Sequence, residues 1–263
     1  MQVNDVLQEA DLSTLEREVL IAAILNKDRT WVLAHGEEHM DVQKIAEMRE
    51  CIARRKHGEP IAYITSSKEF YGRPFVVTKD VLIPRPATEG LVGAAFGFLR
   101  KDTTGITSID SDIVALVHQF REERPEIVVD IGTGSGCIAI TLAHEMDLNI
   151  IATDSSENAL EIARNNAEQH HVDSITFRKG DFLAPIQDLT TPFFIVSNPP
   201  YVPEGETLMN DVSAYEPHEA LFAGPDGMDI LTPLVLQAKN NPFCIGIALE
   251  CRTFQAKKLK EIL

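Results

Sequence analysis

"EIVVDIGTGSG", residues 126–136, is an apolar run that closes on an aspartate and three evenly spaced glycines. The run reads as a buried strand, and the glycines that follow permit positive φ and a close approach of backbone to a ligand. "CIAITLAHEM" (137–146) continues directly as a helix. Downstream the alternation repeats. "NIIATD" (149–154) reads as a second strand, "SSENALEIARNNAEQHH" (155–171) as a helix capped by Ser155 or Ser156, and "SITFRKGDF" (174–182) as a third strand. "PFFIVSNPPY" (192–201) and "PFCIGIALE" (242–250) supply a fourth and a fifth. Strands separated by helical stretches of this length define an α/β fold with a parallel, doubly wound sheet beginning near residue 87.

In such a sheet, ligands sit beyond the carboxyl ends of the strands. The loop Asp130–Gly136 has G-x-G-x-G spacing, not the G-x-G-x-x-G of dinucleotide binders, which favours a ligand without a pyrophosphate. Asp130, Gly132, Thr133, Gly134 and Gly136 are its expected contacts. Asp154, ending the second strand, is suited to accept from both hydroxyls of a ribose. Asp181 can accept from an adenine amino group, and Phe182 can lie against the ring. The plainer alternative is a tight turn followed by an N-cap, but acids at consecutive strand ends weigh against it. An adenosine ligand without phosphates points to S-adenosylmethionine.

The fourth strand stops at Ser197–Asn198, before two prolines. Proline cannot donate to a sheet ladder and keeps its predecessor out of the helical region. The corner is therefore rigid, and it adjoins the first strand in the expected topology. The Asn198 side-chain oxygen and the Pro199 carbonyl can accept from one planar NH2 group, with Pro200 stiffening the turn and Tyr201 forming a flat wall. Such a corner suits methylation of an amide or exocyclic amine, whose lone pair is delocalised and whose proton can leave after transfer. Asn198 is also expected beside the cofactor's reactive end.

The remainder bounds the reading. A formal net charge of −16 over 263 residues disfavours a protein that grips nucleic acid through phosphate contacts. Four cysteines without C-x-x-C spacing indicate no zinc or disulfide framework. No apolar run approaches a membrane span and no signal segment opens the chain, so a cytoplasmic protein is expected. Residues 1–58 carry two to four helices; "STLEREVLIAAIL" opens with Ser13 and Glu16 in capping-box spacing, and "DVQKIAEMRECIARRKHG" runs from an Asp41 N-cap to Gly58. Residues 59–86 read as a β-hairpin turning at Ser66–Ser67, ending in a rigid Pro84-Arg85-Pro86 hinge, and 87–263 as the catalytic domain. Cys137 is read as small-residue packing in preference to a reactive thiol, and "HGEEH" (35–39) as no metal site.

"VVDIGTGSG", "SNPPYVP" and "EFYGRPFVVTKDVLIPRPATE" together resemble the release-factor glutamine N5-methyltransferase family, from about Leu7 to Gln255. "YEPHEALFAGPDGMDIL" (215–231) strengthens the likeness, whereas Asn-Pro-Pro-Tyr alone is shared with DNA adenine and ribosomal RNA guanine methyltransferases. The resemblance implies a Rossmann-like S-adenosylmethionine-dependent sheet preceded by a small N-terminal helical domain and a hairpin linker. It implies an enzyme acting on the glutamine of the Gly-Gly-Gln loop of peptide-chain release factors. Apart from the resemblance, a monomer is expected, with no direct nucleic-acid or membrane partner. Asn198 and Pro199 would bind the substrate amide, with Phe75 and Arg85 bordering the site. Alternatives are a ribosomal-protein glutamine, a nucleic-acid amino group, or a silent binding module. Four departures stand out. Ala87 replaces the first acid of the family's P-R-P-E/D-T-E pattern, and Arg252 stands where glycine is usual. Residues 102–124 form a long connection in which "SDIVALVHQFREE" reads as an extra amphipathic helix. The family's final antiparallel hairpin is not found before Leu263, which would expose a sheet edge unless something covers it.

Overall fold

The computed structural model describes residues 2–8, 12–100 and 104–263. It divides into two compact units, one comprising the chain up to Ser67 with Leu208–Tyr215, the other Lys68–Thr207 with Glu216–Leu263.

The first unit holds helices α1 (Val3–Gln8), α2 (Thr14–Leu25), α3 (Arg29–Ala34) and α4 (Val42–Lys56), then one helical turn at Ile61–Ile64. Ser13 and Glu16 form the expected capping box, with each side chain accepting from the other's backbone N–H at 2.9 and 3.3 Å. Asp41 caps α4 by accepting from Lys44 N at 2.8 Å. Val6, Leu20, Ile21, Val32 and Met48 close a small apolar core. His35, from the "HGEEH" stretch, stacks on Trp31 with ring centroids 4.3 Å apart.

The hairpin pairs β1 (Ser67–Phe70) with β2 (Arg73–Val76). Its turn is Tyr71–Gly72, both at positive φ (54° and 72°), and not Ser66–Ser67. The two-residue primed turn matches strand twist, and the apolar residues before it, Ile61–Ile64, coil into helix after Pro60. Helix α5 (Pro86–Leu99) starts with proline at its first position, where the missing N–H costs nothing.

The connection predicted to hold an extra helix is instead a second hairpin, β3 (Gly105–Ser108) and β4 (Ile113–Gln119); residues 102 and 103 lie outside the described residues. Val114–Val117 are contiguous and all buried, which a strand covered on both faces accommodates and an amphipathic helix does not. The main remaining elements, apart from short helical turns, are β5 (Ile127–Ile131), α6 (Cys137–Glu145), β6 (Asn149–Asp154), α7 (Glu157–Gln169), β7 (Ile175–Lys179), β8 (Phe193–Ser197), α8 (Leu231–Asn240), β9 (Cys244–Arg252) and α9 (Thr253–Ile262).

The sheet order is β3-β4-β9-β8-β5-β6-β7. The last five strands are parallel, as expected, while β4 runs antiparallel along β9 from Ile113↔Arg252 to Gln119↔Gly246. The edge expected to be bare beside β9 is thus paired along its length. Successive residues of β8 face opposite layers. Phe194 and Val196 join Phe98, Ile138 and Leu142 on one side, and Phe193 and Ile195 join Leu231, Leu234 and Leu259 on the other. Phe98 and Phe194 stack at 4.2 Å. Each such side chain contributes about 1.5–3 kcal/mol by burial, which seats the strand that carries the Asn-Pro-Pro corner in both layers of the core. Among the described residues no helix is long and apolar enough to cross a membrane.

Candidate active site

One cavity opens over the carboxyl ends of β5, β6, β7 and β8. Gly132 and Gly134 take φ of 71° and 55°, and a Cβ built on either meets nothing within 4 Å. The glycines are demanded by conformation, and the space above them is open for a ligand. Thr133, Asp154, Asp181 and Phe182 line the same cavity, so six of the nine residues expected to hold the cofactor converge there, and Asn198 makes a seventh.

Asp154 accepts from Gly134 N and from Ser156 N, both at 2.9 Å, which fixes its carboxylate at the end of β6. Burial raises its carboxyl above the ordinary range, and the backbone N–H groups of Ser156 and Gly134 oppose that rise.

Two expected contacts need correction. Asp130 is fully buried and does not face the ligand space; its Oδ2 accepts from Thr133 Oγ1 at 2.7 Å and Ala139 N at 3.2 Å. It shapes the loop from beneath. Gly136 is also behind the loop, where a Cβ would press on Ala163 Cβ and Ile140 Cδ1 at 3.1 Å, so its smallness serves helix packing. Cys137 is likewise packed in the interior, and burial pushes its thiol up to about 12, in keeping with the packing role.

Burial pushes the Asp130 carboxyl up to about 7. A folded-state pKa above the unfolded value means the native state holds an extra proton between roughly pH 4 and 7. Stability from this group is therefore greatest below pH 4 and declines as pH rises to 7, by about 4 kcal/mol in total at 1.36 kcal/mol per unit. Denaturant unfolding of wild type and Asp130→Asn at pH 5 and pH 7 checks this: the difference between them is expected to shift in favour of wild type at pH 5.

The corner is assembled by several elements. Ser197 Oγ donates to Ile131 O at 2.6 Å, tying the end of β8 to β5. Asn198, Pro199 and Pro200 line the cavity. Asn198 Nδ2 donates to Thr88 Oγ1 at 3.0 Å, which leaves Oδ1 as the group able to accept. Arg85, at the cavity rim, is ion-paired with the buried Glu216, whose other oxygen accepts from Ile83 N at 3.0 Å. Arg252 clasps Glu206 with two guanidinium nitrogens, bracing the stretch that follows the corner.

Tyr201 and Phe75 are not where they were expected. The Tyr201 ring packs into the core and its hydroxyl donates to Glu250 Oε1 at 3.0 Å, so it supports the corner from behind. Phe75 is completely buried, edge-on to Phe70 at 6.1 Å, because strand alternation turns it inward. The sequence reading also missed Thr88, Glu216, Glu250 and Gln255. Gln255 Nε2 donates to Tyr201 O at 2.8 Å and to Gly227 O at 3.0 Å, pinning the corner to α9. The available signal was a polar residue on the face that Ala256 and Leu259 make apolar in an otherwise lysine-rich helix.

Gly227, in the 215–231 motif, has φ of 71°, and a Cβ there would sit 2.2 Å from Tyr201 O. Gly227→Ala is expected to cost at least about 3 kcal/mol, from positive φ and backbone overlap together. A fall in thermal midpoint of ten degrees or more would register it, and a change under two degrees would not fit.

A doubly wound sheet with a glycine loop, acids at successive strand ends and an Asn-Pro-Pro corner in one cavity defines a Rossmann-like methyltransferase. Solved structures agree on the fold: the hMettl16 catalytic domain in complex with MAT2A 3'UTR hairpin 6 superposes with a TM-score of 0.51 at 15% identity, over 84% of this chain and 72% of that one. Residues 1–65 match the PrmC N-terminal domain family and residues 105–214 the Methyltransferase small domain family. The release factor glutamine methyltransferase of Koribacter versatilis is 41% identical over 236 residues, 88% of this chain and 76% of that protein. That of Coxiella burnetii is 35% identical over 253 residues, 95% and 82% respectively. The chain belongs to the release factor glutamine methyltransferase family, as its motifs implied. It also matches the Bifunctional methyltransferase of Rickettsia typhi at 35% identity, spanning about half (51%) of that protein's length.

Proposed function

We propose that the chain transfers a methyl group from S-adenosylmethionine to the side-chain amide nitrogen of the glutamine in the Gly-Gly-Gln loop of peptide-chain release factors. The observation that carries this reading is the shared cavity: the Asn198–Pro199 corner opens into the same space as the glycine loop, Asp154 and Phe182.

The residues present suit the cofactor. Gly132 and Gly134 leave an open backbone cradle, and Asp154 and Asp181 offer acceptors for hydroxyl and amino groups while disfavouring phosphates. Phe182 offers an apolar face. When bound, the cofactor supplies an electrophilic methyl on a sulfonium. The Asn198 Oδ1 and the Pro199 carbonyl would accept the two amide hydrogens of the glutamine and favour the positive charge that grows on its nitrogen. Pro199 and Pro200 fix these acceptors beforehand, so little reorganisation is needed at the transition state. The proton leaves after transfer, so no strong base is required.

Purified release factor incubated with the protein and S-adenosylmethionine is expected to gain one methyl on the Gly-Gly-Gln glutamine, read by peptide mass. Methyl transfer to RNA or DNA instead would overturn the reading, as would an unmodified factor.

A further inference from the structure

We infer that Thr88 and Glu250 are positioning residues for methyl transfer, clamping the Asn198 carboxamide so that its oxygen, and not its nitrogen, meets the incoming amide. The inference rests on the proposed amide substrate and names residues of that same site.

An asparagine side chain has two nearly isosteric orientations, and only its partners decide between them. Here the nitrogen is held by Thr88 Oγ1 at 3.0 Å. Thr88 and Glu250 are 2% and 1% exposed, so neither is a surface residue of incidental polarity. The sheet register puts Glu250 beside the corner: Ser197, the last residue of β8, pairs with Leu249 of β9, and Asn198 and Glu250 each follow next in the chain.

Glu250 is otherwise hard to account for. Tyr201 donates to its Oε1 at 3.0 Å, and its carboxylate is almost completely buried. A buried carboxylate is costly unless polar groups face it, and the groups facing this one are those of the corner. Its carboxyl lies above the ordinary range because of burial; Thr88, Tyr201, Arg85 and Asn198 each draw it back. All four belong to the corner or its rim. An acceptor-rich wall behind Asn198 attracts the amide nitrogen and repels the amide oxygen, which is the polarity needed to turn Oδ1 outward. A flipped carboxamide would set NH2 against the substrate's NH2 and remove one of its two acceptors.

The test compares Thr88→Val, Thr88→Ser and Glu250→Gln with wild type. Thr88→Val and Glu250→Gln are expected to lower kcat about tenfold or more, with the dissociation constant for S-adenosylhomocysteine within about twofold of wild type. Thr88→Ser, which keeps the hydroxyl, is expected to restore kcat to within about threefold. A merely structural role would move cofactor affinity and thermal midpoint together and would not be rescued by serine. A second readout needs no substrate. The side-chain 15N–1H2 pair of Asn198, assigned by its loss in Asn198→Asp, is expected to exchange slowly with water in wild type and about tenfold faster in Thr88→Val. Unchanged exchange, or kcat within twofold in both Thr88→Val and Glu250→Gln, overturns the clamp. A wild-type protein that leaves release factor unmethylated defeats the proposed substrate, while the exchange measurement still decides the clamp.

Discussion

Asn198→Ala is expected to reduce methyl transfer to release factor by at least two orders of magnitude, with cofactor affinity changed by no more than about threefold. The size follows from the work asked of one side chain. Removing a single preorganised hydrogen-bond group that meets charge developing in a transition state costs about 2.7–4 kcal/mol. Asn198 would also align the nitrogen with the methyl group, and misplacement of about an ångström adds a further large factor. Cofactor affinity should survive because the groups suited to the adenosine portion, Gly134, Asp154 and Phe182, stand on other strand ends. Single-turnover rates and calorimetry separate the two quantities. A mutant with transfer within threefold of wild type would remove Asn198 from the mechanism.

Asp154→Ala is expected to produce the complementary failure, a loss of cofactor affinity of about a hundredfold. Hydrogen bonds to a charged group contribute about 1.5–3 kcal/mol each, and a carboxylate that accepts from a ribose can make two. The same side chain accepts from Gly134 N at 2.9 Å, so its removal also loosens the glycine loop. Calorimetric titration with S-adenosylhomocysteine measures the loss directly. At saturating cofactor, the transfer rate should recover most of its wild-type value, because the Asn198 corner is untouched. Affinity within about fivefold of wild type would show that Asp154 only caps the loop.

Much of the catalytic sheet was legible in the chain because its signals are local. A glycine loop after a buried strand, acids at strand ends and a double proline each carry their meaning in a few adjacent residues. Residues whose roles come from other elements were harder to read. Thr88 is an ordinary helix-start threonine until β8 brings Asn198 to it, and Glu250 looks like a solvated strand end until β4 covers β9. Tyr201 is expected at the site because an aromatic residue next to a motif suggests a wall, and Phe75 because the family resemblance implies it, but packing turns both inward. The 102–124 connection was misread for a different reason. Residues 113–117 are a short apolar run, and periodicity alone does not separate a buried strand from a buried helix segment. Only pairing with β9 decides it.

The most direct test is a crystal structure with S-adenosylhomocysteine and a Gly-Gly-Gln peptide bound together. The account predicts that the glutamine nitrogen lies about 3 Å from both Asn198 Oδ1 and Pro199 O, with the sulfur on the opposite side of the path the methyl would travel. A glutamine held elsewhere, or an Asn198 nitrogen facing it while Thr88 turns away, would contradict it.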